Sequence, residues 1–419
     1  MRRPSSVAVR QWWRRQPRLA RRNAYRGARV ARGGSSVAFV DSAILRDPQR
    51  FYERFVARRR PCVIKAIIPE LSGKPEGWWV HPDARLKTVQ VEARDGPADS
   101  FGKGRKVRMK FGDLVDADSA EHYLTTQEVP DGHLLAPPLD ALAAAGQLPL
   151  RPALMGALVP QSINLWLGRS STPASSGLHH DFHDNLYVLL RGKKHFRLFS
   201  PADANCMYTA GTIARVHANG RINYVGEPPT SADGRTAEDR AAEACRAARR
   251  TVKEAEGRLA MAEEAVEQGE HGAQRALDYA EATLDEAMER SVNATRKYRE
   301  RRRQAAARTA TAESSLPPSF SRVSNLPTEW ARPAAIGEPS PFPRLQGARM
   351  AECDLATGDM LYLPAGWFHE VSSSGAHVAL NYWYHPPAVA GTAGASFELP
   401  YGPHAQVFWE REWRRTRKA

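Results

Sequence analysis

A seven-residue repeat in the middle of the chain is the feature that most limits how the chain can fold. Between residues 236 and 310, small and apolar residues recur at alternating steps of four and three. The first run is Ala241, Cys245, Ala248, Val252, Ala255, Leu259, Ala262 and Val266, and the second is Ala273, Leu277, Ala280, Leu284, Ala287, Ser291, Ala294 and Tyr298. This spacing gives a helix one apolar seam, as in a coiled coil.

Two glycines separate the two runs. Gly269 and Gly272 interrupt the repeat, which favours two helices joined by a turn and packed as an antiparallel coiled-coil hairpin. Thr236 and Asp239 resemble a capping box, with Asp in place of Glu, at the start of the first helix. The alternative is one long, solvated helix, because short seams are only marginally stable on their own.

Short strand patterns lie on both sides of this helical segment. Two helices are predicted as well, over residues 136–148 and over 47–59, where Asp47 is the N-cap and Pro48 the first helical residue. The strand patterns cover residues 60–68, 87–93, 121–127, 162–168, 178–190, 194–199, 349–353, 359–364 and 378–384, the fifth and sixth being joined at a Gly turn. Many short strands around a central insertion predict a mainly β fold with helices: a double-stranded β-helix (jelly-roll, cupin-type) barrel interrupted by the helical hairpin.

The net charge of +14 is concentrated at the two ends of the chain. Residues 1–34 contain eleven Arg and no Lys, Asp or Glu, and residues 409–419 contain five basic and two acidic residues. Residues 35–408 therefore carry no net charge. This distribution argues against a folded body that binds nucleic acid through its overall charge.

The Arg-rich first 34 residues have the composition of an organelle transit peptide. In that case the protein is expected in mitochondria or another organelle, and otherwise in the cytoplasm or nucleus. The alternatives are a disordered tail that binds RNA or directs nuclear import, and a solvated tail with no such role. No apolar run approaches the length of a membrane span. The four Cys lack paired spacing, which predicts reduced thiols instead of a zinc ribbon or a disulfide framework.

His179 and Asp181 are the first indication of a metal site. Side chains two residues apart on a strand point to the same face, so an imidazole and a carboxylate can converge on one point. They would supply two of the three ligands of the facial triad in non-haem Fe(II) oxygenases. A surface polar pair would explain the same pattern. His369, which follows an aromatic-rich strand and a Pro-Ala-Gly turn, is on its own more typical of a core residue than of a ligand.

Taken together, these segments resemble the Jumonji-C family of Fe(II)- and 2-oxoglutarate-dependent oxygenases. The matching segments are residues 163–168, 178–181, 185–187, 192–196, 358–364, 367–369 and 381–384. The chain is most similar to the small Jumonji-C-only lysyl and protein hydroxylases, through residues 60–64, 95–99 and 207–209. The resemblance covers residues 45–227 and 316–387.

The resemblance implies a complete active site. His179, Asp181 and His369 match the iron ligands, and the last two are 188 residues apart because the helical segment intervenes. Five further positions match the family's contacts to 2-oxoglutarate: Tyr123, Ser176, Asn185, Lys194 and Asn381. Lys194 matches the lysine that pairs with the distal carboxylate of this co-substrate.

The activity implied by the resemblance is hydroxylation of a protein side chain by O2, with release of succinate and CO2 from 2-oxoglutarate. Histone lysine demethylation is less favoured, because the sequence has no Cys/His pattern for a zinc-binding reader module. A tRNA-base hydroxylase that holds RNA through the Arg-rich tail is a third alternative. A catalytically inert scaffold acting through the hairpin is the fourth, and the presence of all three ligand positions and Lys194 argues against it.

The predicted organisation has five parts. They are an Arg-rich tail or transit peptide (1–34), an N-terminal α/β region with the first part of the barrel (35–227), the coiled-coil hairpin (228–315), a Pro-rich loop with the second part of the barrel (316–387) and a basic C-terminal tail (388–419). The expected partners are a protein or peptide substrate and, for the hairpin, either a coiled-coil partner or a second copy of the chain.

Overall fold

The computed structural model describes residues 23–31, 35–93, 105–117, 122–129, 133–308, 316–323, 326–327, 341–391 and 394–415. The chain divides into two compact units, which we name the barrel unit (1–225, 232–234 and 316–419) and the helical arm (226–231 and 235–315). Three predictions lie wholly or mostly outside the described residues. They concern the Arg-rich tail, the 95–99 segment and the Pro-rich loop.

Each predicted strand and helix overlaps an observed element, and the described residues contain several further short strands and helices that the sequence did not predict. The strands are β1 (Ser35–Ser36), β2 (Ala38–Val40), β3 (Cys62–Ile64), β4 (Thr88–Ala93), β5 (Arg105–Lys110), β6 (His122–Leu124), β7 (Pro160–Ser175), β8 (His179–His180), β9 (Asp184–Phe199), β10 (Ile213–Val216), β11 (Ile222–Tyr224), β12 (Met350–Ala356), β13 (Met360–Leu363) and β14 (Phe368–Tyr384). The α-helices are α1 (Pro48–Phe51), α2 (Pro82–Arg85), α3 (Phe111–Asp116), α4 (Leu139–Ala144), α5 (Ala237–Glu267), α6 (Ala273–Arg308) and α7 (Gln406–Arg415).

Two long antiparallel strands, β9 and β14, form the centre of the barrel unit. They pair along their whole length, from Asp184 opposite Tyr384 to Phe199 opposite Phe368. On its other edge, β9 pairs first with β13 and then with β12. The main path of the sheet is β2-β3-β13-β9-β14-β7-β6-β4-β5, so β4, β5 and β6 extend it beyond β7.

Strand β9 bends at Gly192 and does not reverse there. Gly192 has a φ of 90°, and a Cβ at this position would lie 2.5 Å from the carbonyl oxygen of Ala376 on β14. Only glycine tolerates both conditions. The sequence predicted two strands joined at a Gly turn, and this was wrong: residues 184–199 are one bent strand.

The bend brings the two halves of β9 face to face across a shared core. Tyr187 and Leu189 from the first half belong to the same buried cluster as Phe196 and Leu198 from the second half. A larger cluster on the opposite side of the sheet packs the short helices against it. Together with the insertion described next, this confirms the predicted cupin-type barrel.

The helical arm consists of α5 and α6. The Thr236 hydroxyl accepts a hydrogen bond from the Asp239 N–H (3.0 Å), and the Asp239 carboxylate accepts one from the Thr236 N–H (2.7 Å), which completes the predicted capping box. Gly269 and Gly272 adopt φ values of 70° and 81° in the turn. Six seam residues are buried between the helices: Cys245, Ala255, Ala262, Ala273, Ala280 and Ala287. The repeat therefore forms a hairpin and not one long helix.

Parts of both predicted tails belong to the barrel unit. Tyr25 and Val30 are buried, so residues 23–31 pack against the body. At the other end, α7 buries Phe408 and Trp409 in the larger core cluster. The basic residues near the C-terminus concealed this apolar face. No helix in the described part of the chain is long and apolar enough to cross a membrane, and all four Cys are free thiols, as predicted.

Candidate active site

Two histidines from distant parts of the chain meet as cross-strand neighbours. The short strand β8 pairs with β14 so that His179 lies opposite His369, with ring centroids 4.3 Å apart. Asp181 follows β8, and its Oδ2 lies 3.8 Å from Nε2 of His369. One ligand atom from each of the three residues lies within 4.8 Å of the other two. The fold thus brings together the three side chains that the sequence suggested as metal ligands.

Backbone carbonyls orient both imidazole rings. Nδ1 of His179 lies 2.9 Å from the carbonyl oxygen of Gly177, and Nδ1 of His369 lies 3.0 Å from that of Trp367. Because a carbonyl can only accept, Nδ1 donates in each ring, which leaves Nε2 as the nitrogen available to a metal ion. Burial and the neighbouring His369 also lower the pKa of His179 to about 4. The ring is therefore neutral near pH 7, which is the form that binds a metal ion.

The adjacent His180 has a different role. Its Nε2 lies 2.7 Å from the hydroxyl of Tyr224, and the side chain is buried. Burial lowers the pKa of His180 to about 3. Of the two consecutive histidines, only the first is part of the three-residue cluster, and the second is a core residue.

Phe320 covers one face of the cluster. Its ring stacks on His179 with a centroid distance of 4.8 Å and an interplanar angle of 12°, and the two residues also form a β-bridge. Phe320 comes from the segment that follows the helical arm in the sequence. Sequence reasoning treated that segment as part of a Pro-rich loop and missed this contact.

A cavity of about 260 Å³ opens beside the three-residue cluster. All eight residues that the resemblance assigned to the site line it: Tyr123, Ser176, His179, Asp181, Asn185, Lys194, His369 and Asn381. Sequence reasoning missed most of the apolar wall, which includes Trp166, Tyr187, Phe196 and Trp383, and also the buried carboxylate of Glu92. These residues come from four different strands, and their strand patterns alone did not distinguish them from core residues.

Lys194 and Tyr123 form the part of the cavity expected to hold a carboxylate. Lys194 is only 4% exposed, and its Nζ lies 5.9 Å from the centre of the Tyr123 ring. The ring lies against Gly168, where a Cβ would come within 2.3 Å of it. Glycine at this position is therefore what allows the ring to approach the lysine.

Three further polar residues line the cavity. Asn381 accepts a hydrogen bond from the Trp166 indole N–H (2.9 Å). The Ser176 hydroxyl accepts one from the Val371 N–H (2.9 Å) and donates one to the Gly177 carbonyl (3.0 Å). By contrast, Oδ1 of buried Asn185 has no hydrogen-bond partner in the described part of the protein. Such an atom is costly to bury without a ligand.

A fully buried ion pair supports the segments that carry the three-residue cluster. Arg59 and Asp184 are both 0% exposed, and the guanidinium donates to both carboxylate oxygens, with 2.7 Å from Nη1 to Oδ2. Asp184 also accepts from the Ala365 N–H (3.0 Å), and the next residue, Gly366, donates to the Asp181 carbonyl (2.9 Å). The ion pair thus fixes the turn before His369 against the segment that contains Asp181.

The donor set fits Fe(II). Two imidazoles and a carboxylate that converge on a common point are the protein ligands of 2-His-1-carboxylate iron sites, which leave positions open for co-substrate and O2. Residues 48–389 match the cupin-like domain family. The chain is also 33% identical over 399 aligned residues to JmjC domain-containing protein 4 of Schizosaccharomyces pombe, covering 81% of this chain and 83% of that protein. The chain belongs to the Jumonji-C group of cupin-like proteins.

Two other relatives differ in how much of the chain they match. The human bifunctional peptidase and (3S)-lysyl hydroxylase JMJD7 is 22% identical over 363 residues, covering 80% of this chain and 81% of that protein. The tRNA wybutosine-synthesizing protein 5 of Gallus gallus is 46% identical over 48 residues, covering 11% of this chain and 15% of that protein. Jumonji-C proteins are typically Fe(II)- and 2-oxoglutarate-dependent oxygenases.

Proposed function

We propose that this protein is an Fe(II)- and 2-oxoglutarate-dependent dioxygenase that hydroxylates a side chain of a protein substrate. The observation that carries the proposal is the single cavity lined by the His179, Asp181 and His369 cluster and by Lys194. In this proposal the three-residue cluster holds Fe(II). Bound iron and 2-oxoglutarate supply oxidation of an unactivated C–H bond by O2, with the co-substrate converted to succinate and CO2.

The protein's own residues orient the reactants. The carbonyls of Gly177 and Trp367 keep the two imidazoles in the tautomer whose Nε2 can bind metal. Lys194 would pair with the distal carboxylate of 2-oxoglutarate, because an ammonium group in a partly desolvated cavity is a strong carboxylate partner. The side-chain amide N–H of Asn185 would donate a further hydrogen bond to 2-oxoglutarate. The aromatic wall formed by Tyr187 and Phe196 limits water around the reacting centre.

A protein substrate is favoured by the extent of the match to the human lysyl hydroxylase, which spans four fifths of both chains. A tRNA base is the second candidate, because the tRNA wybutosine-synthesizing protein matches a 48-residue part of the chain at higher identity. That match covers only 11% of this chain and 15% of that protein, so it carries less information about the substrate.

Mass spectrometry after turnover distinguishes the candidates. The full chain would be incubated with Fe(II), 2-oxoglutarate and isotopically heavy O2, and with protein and RNA from cells that lack this protein. We expect one heavy oxygen atom on a peptide and none on RNA. A labelled nucleoside, or methyl loss from a histone peptide without oxygen incorporation, would contradict the proposal.

Two variants serve as controls for this experiment. His179→Ala removes one of the cluster's imidazoles and should abolish the label. Lys193→Ala should leave it intact, because Lys193 is exposed while its neighbour Lys194 on the same strand faces the cavity.

A further inference from the structure

A second stripe of regularly spaced residues runs along α6, beside the seam that packs against α5. The first seven members each follow a seam residue by one position, the eighth continues the spacing, and the steps between members alternate between three and four. The members are Asp278, Glu281, Asp285, Met288, Val292, Thr295, Arg299 and Arg302. Since each residue turns a helix by about 100°, the stripe lies about 100° around the helix from the seam. All its side chains are exposed except that of half-buried Thr295.

The chemistry of this α6 stripe changes along the helix. Its first three members, next to the turn of the arm, are acidic, and its last two members are arginines. Between them lie Met288 and Val292, which are 52% and 68% exposed and are among the most exposed large apolar residues of the described chain. Because they are four positions apart, the two side chains are neighbours on one face of the helix and form a small continuous apolar surface that a partner can cover.

The order of these residues is symmetric about Arg290. Met288 and Val292 lie two positions to either side of it, and Glu281 and Arg299 lie nine positions to either side. At twelve positions the pair is Asp278 and Arg302. Consider the α6 of a second copy that lies antiparallel to the first, with the two Arg290 residues side by side. Every member of the stripe then faces the member that lies equally far from Arg290 on the other side of it. The two outer acidic residues then face the two arginines, Asp285 faces Thr295, and the apolar residues face each other.

We propose that the α6 stripe binds the α6 stripe of a second copy of this chain, antiparallel, around a two-fold axis near Arg290. The pairing is isologous, so each contact occurs twice. Met288 of each copy contacts Val292 of the other next to the axis, and Glu281 pairs with Arg299 farther out. The contact extends over about 36 Å, the length of the 24-residue rise from the first to the last member. A parallel arrangement would place like charges opposite one another and is disfavoured.

The charged residues of the stripe are available for this contact. In the described part of the arm, the ion pairs involve Glu243 and Glu286, and none involves Glu281, Arg299 or Arg302. On α5, the residues that follow each seam residue show the same order of charges relative to the turn. Its basic residues Arg246, Arg249 and Lys253 lie away from the turn, and its acidic residues Glu256, Glu263 and Glu267 lie towards it.

A polyanion such as RNA would complement only part of this surface. It would fit Arg299 and Arg302, but the three acidic members of the same stripe would repel it and the apolar pair would stay exposed. A second copy of the chain complements the acidic, apolar and basic parts at once. The observations therefore favour self-association over RNA binding.

Sedimentation equilibrium of the full chain tests this proposal. We expect a monomer–dimer equilibrium that weakens as salt is added, because the outer contacts are exposed ion pairs. Glu281→Arg or Arg299→Glu should each weaken the dimer by about tenfold or more, since two attractive contacts become repulsive. The double variant Glu281→Arg/Arg299→Glu restores opposite charges and should return the dissociation constant to within about threefold of the original.

Lys297→Glu is the matched control for Arg299→Glu. It makes the same change of charge two residues away, which is roughly the opposite side of the helix, and should leave the dimer unchanged. Met288→Ser should weaken the dimer without altering any charge. Far-UV circular dichroism checks that each variant keeps its helices, which is expected because all four positions are exposed.

Three results would overturn the proposal. The first is a chain that stays monomeric at all attainable concentrations in low salt. The second is a double charge reversal that fails to restore the dimer lost in the single variants. The third is a monomer that binds a single-stranded RNA oligonucleotide and loses that binding on Arg299→Glu, which would assign the basic half of the stripe to nucleic acid.

Discussion

Replacing Arg59 with Met should destabilise the barrel unit by about 3–5 kcal/mol, the loss typical of breaking a buried ion pair from one side. The pair with Asp184 is completely buried. Arg59 also donates from Nε to the carbonyl of Asn219 (2.9 Å). Without the guanidinium, the partners of the Asp184 carboxylate among the described residues are the Tyr362 hydroxyl (2.6 Å) and the Ala365 N–H (3.0 Å). Those two bonds do not compensate a buried negative charge.

Urea unfolding, monitored by tryptophan fluorescence, measures this loss of stability in the barrel unit. None of the ten Trp residues lies in the helical arm, so the signal comes only from the rest of the chain. The double variant Arg59→Met/Asp184→Leu removes both charges and should be more stable than Arg59→Met alone. A loss below about 1 kcal/mol for Arg59→Met, as for an exposed pair, would refute the reasoning. So would a double variant whose loss equals the sum of the two single losses.

Three further predictions concern the cavity and its surroundings. Lys194→Ala should raise the KM for 2-oxoglutarate by about 30-fold or more, which is the lower end of the range expected when one partner of a desolvated charge pair is truncated. The control variant Lys193→Ala should leave this KM unchanged. Gly168→Ala should displace the Tyr123 ring, and calorimetry should then show weaker 2-oxoglutarate binding with unchanged Fe(II) affinity. Burial lowers the pKa of His180 below its value in the unfolded chain. In the metal-free protein, His180 therefore contributes stability at pH values above the unfolded-state pKa, and this stability is lost as the pH falls. From pH 6 towards pH 4 that loss is about 1.4 kcal/mol per pH unit, and His180→Gln should flatten the measured dependence by this amount.

The sequence predicted local elements well where the periodicity was strong. The four-three repeat gave both helices of the arm and their turn, because burying one seam leaves few alternatives. Gly192 shows where local reasoning ended. A glycine with positive φ fits a chain reversal and a strand bend equally well, and only the pairing of β9 with β12, β13 and β14 decides between them.

The candidate site shows the same limit. His179, Asp181 and Lys194 lie on neighbouring stretches of one segment, so their spacing carries the information. Phe320 and Glu92 reach the cavity from distant segments whose patterns are ordinary for a loop and a strand. Arg59 gave no signal either, because a buried arginine and a surface arginine look the same until the partner carboxylate is placed beside it.

The most direct test of the proposed function is anaerobic titration of the full chain with Fe(II) and 2-oxoglutarate, followed by visible absorption. We predict a weak charge-transfer band that requires both additions and is absent in His179→Ala and in Asp181→Ala. Lys194→Ala should show the band only at much higher 2-oxoglutarate concentrations. An intact, folded protein that gives no band at saturating Fe(II) and 2-oxoglutarate would contradict the account.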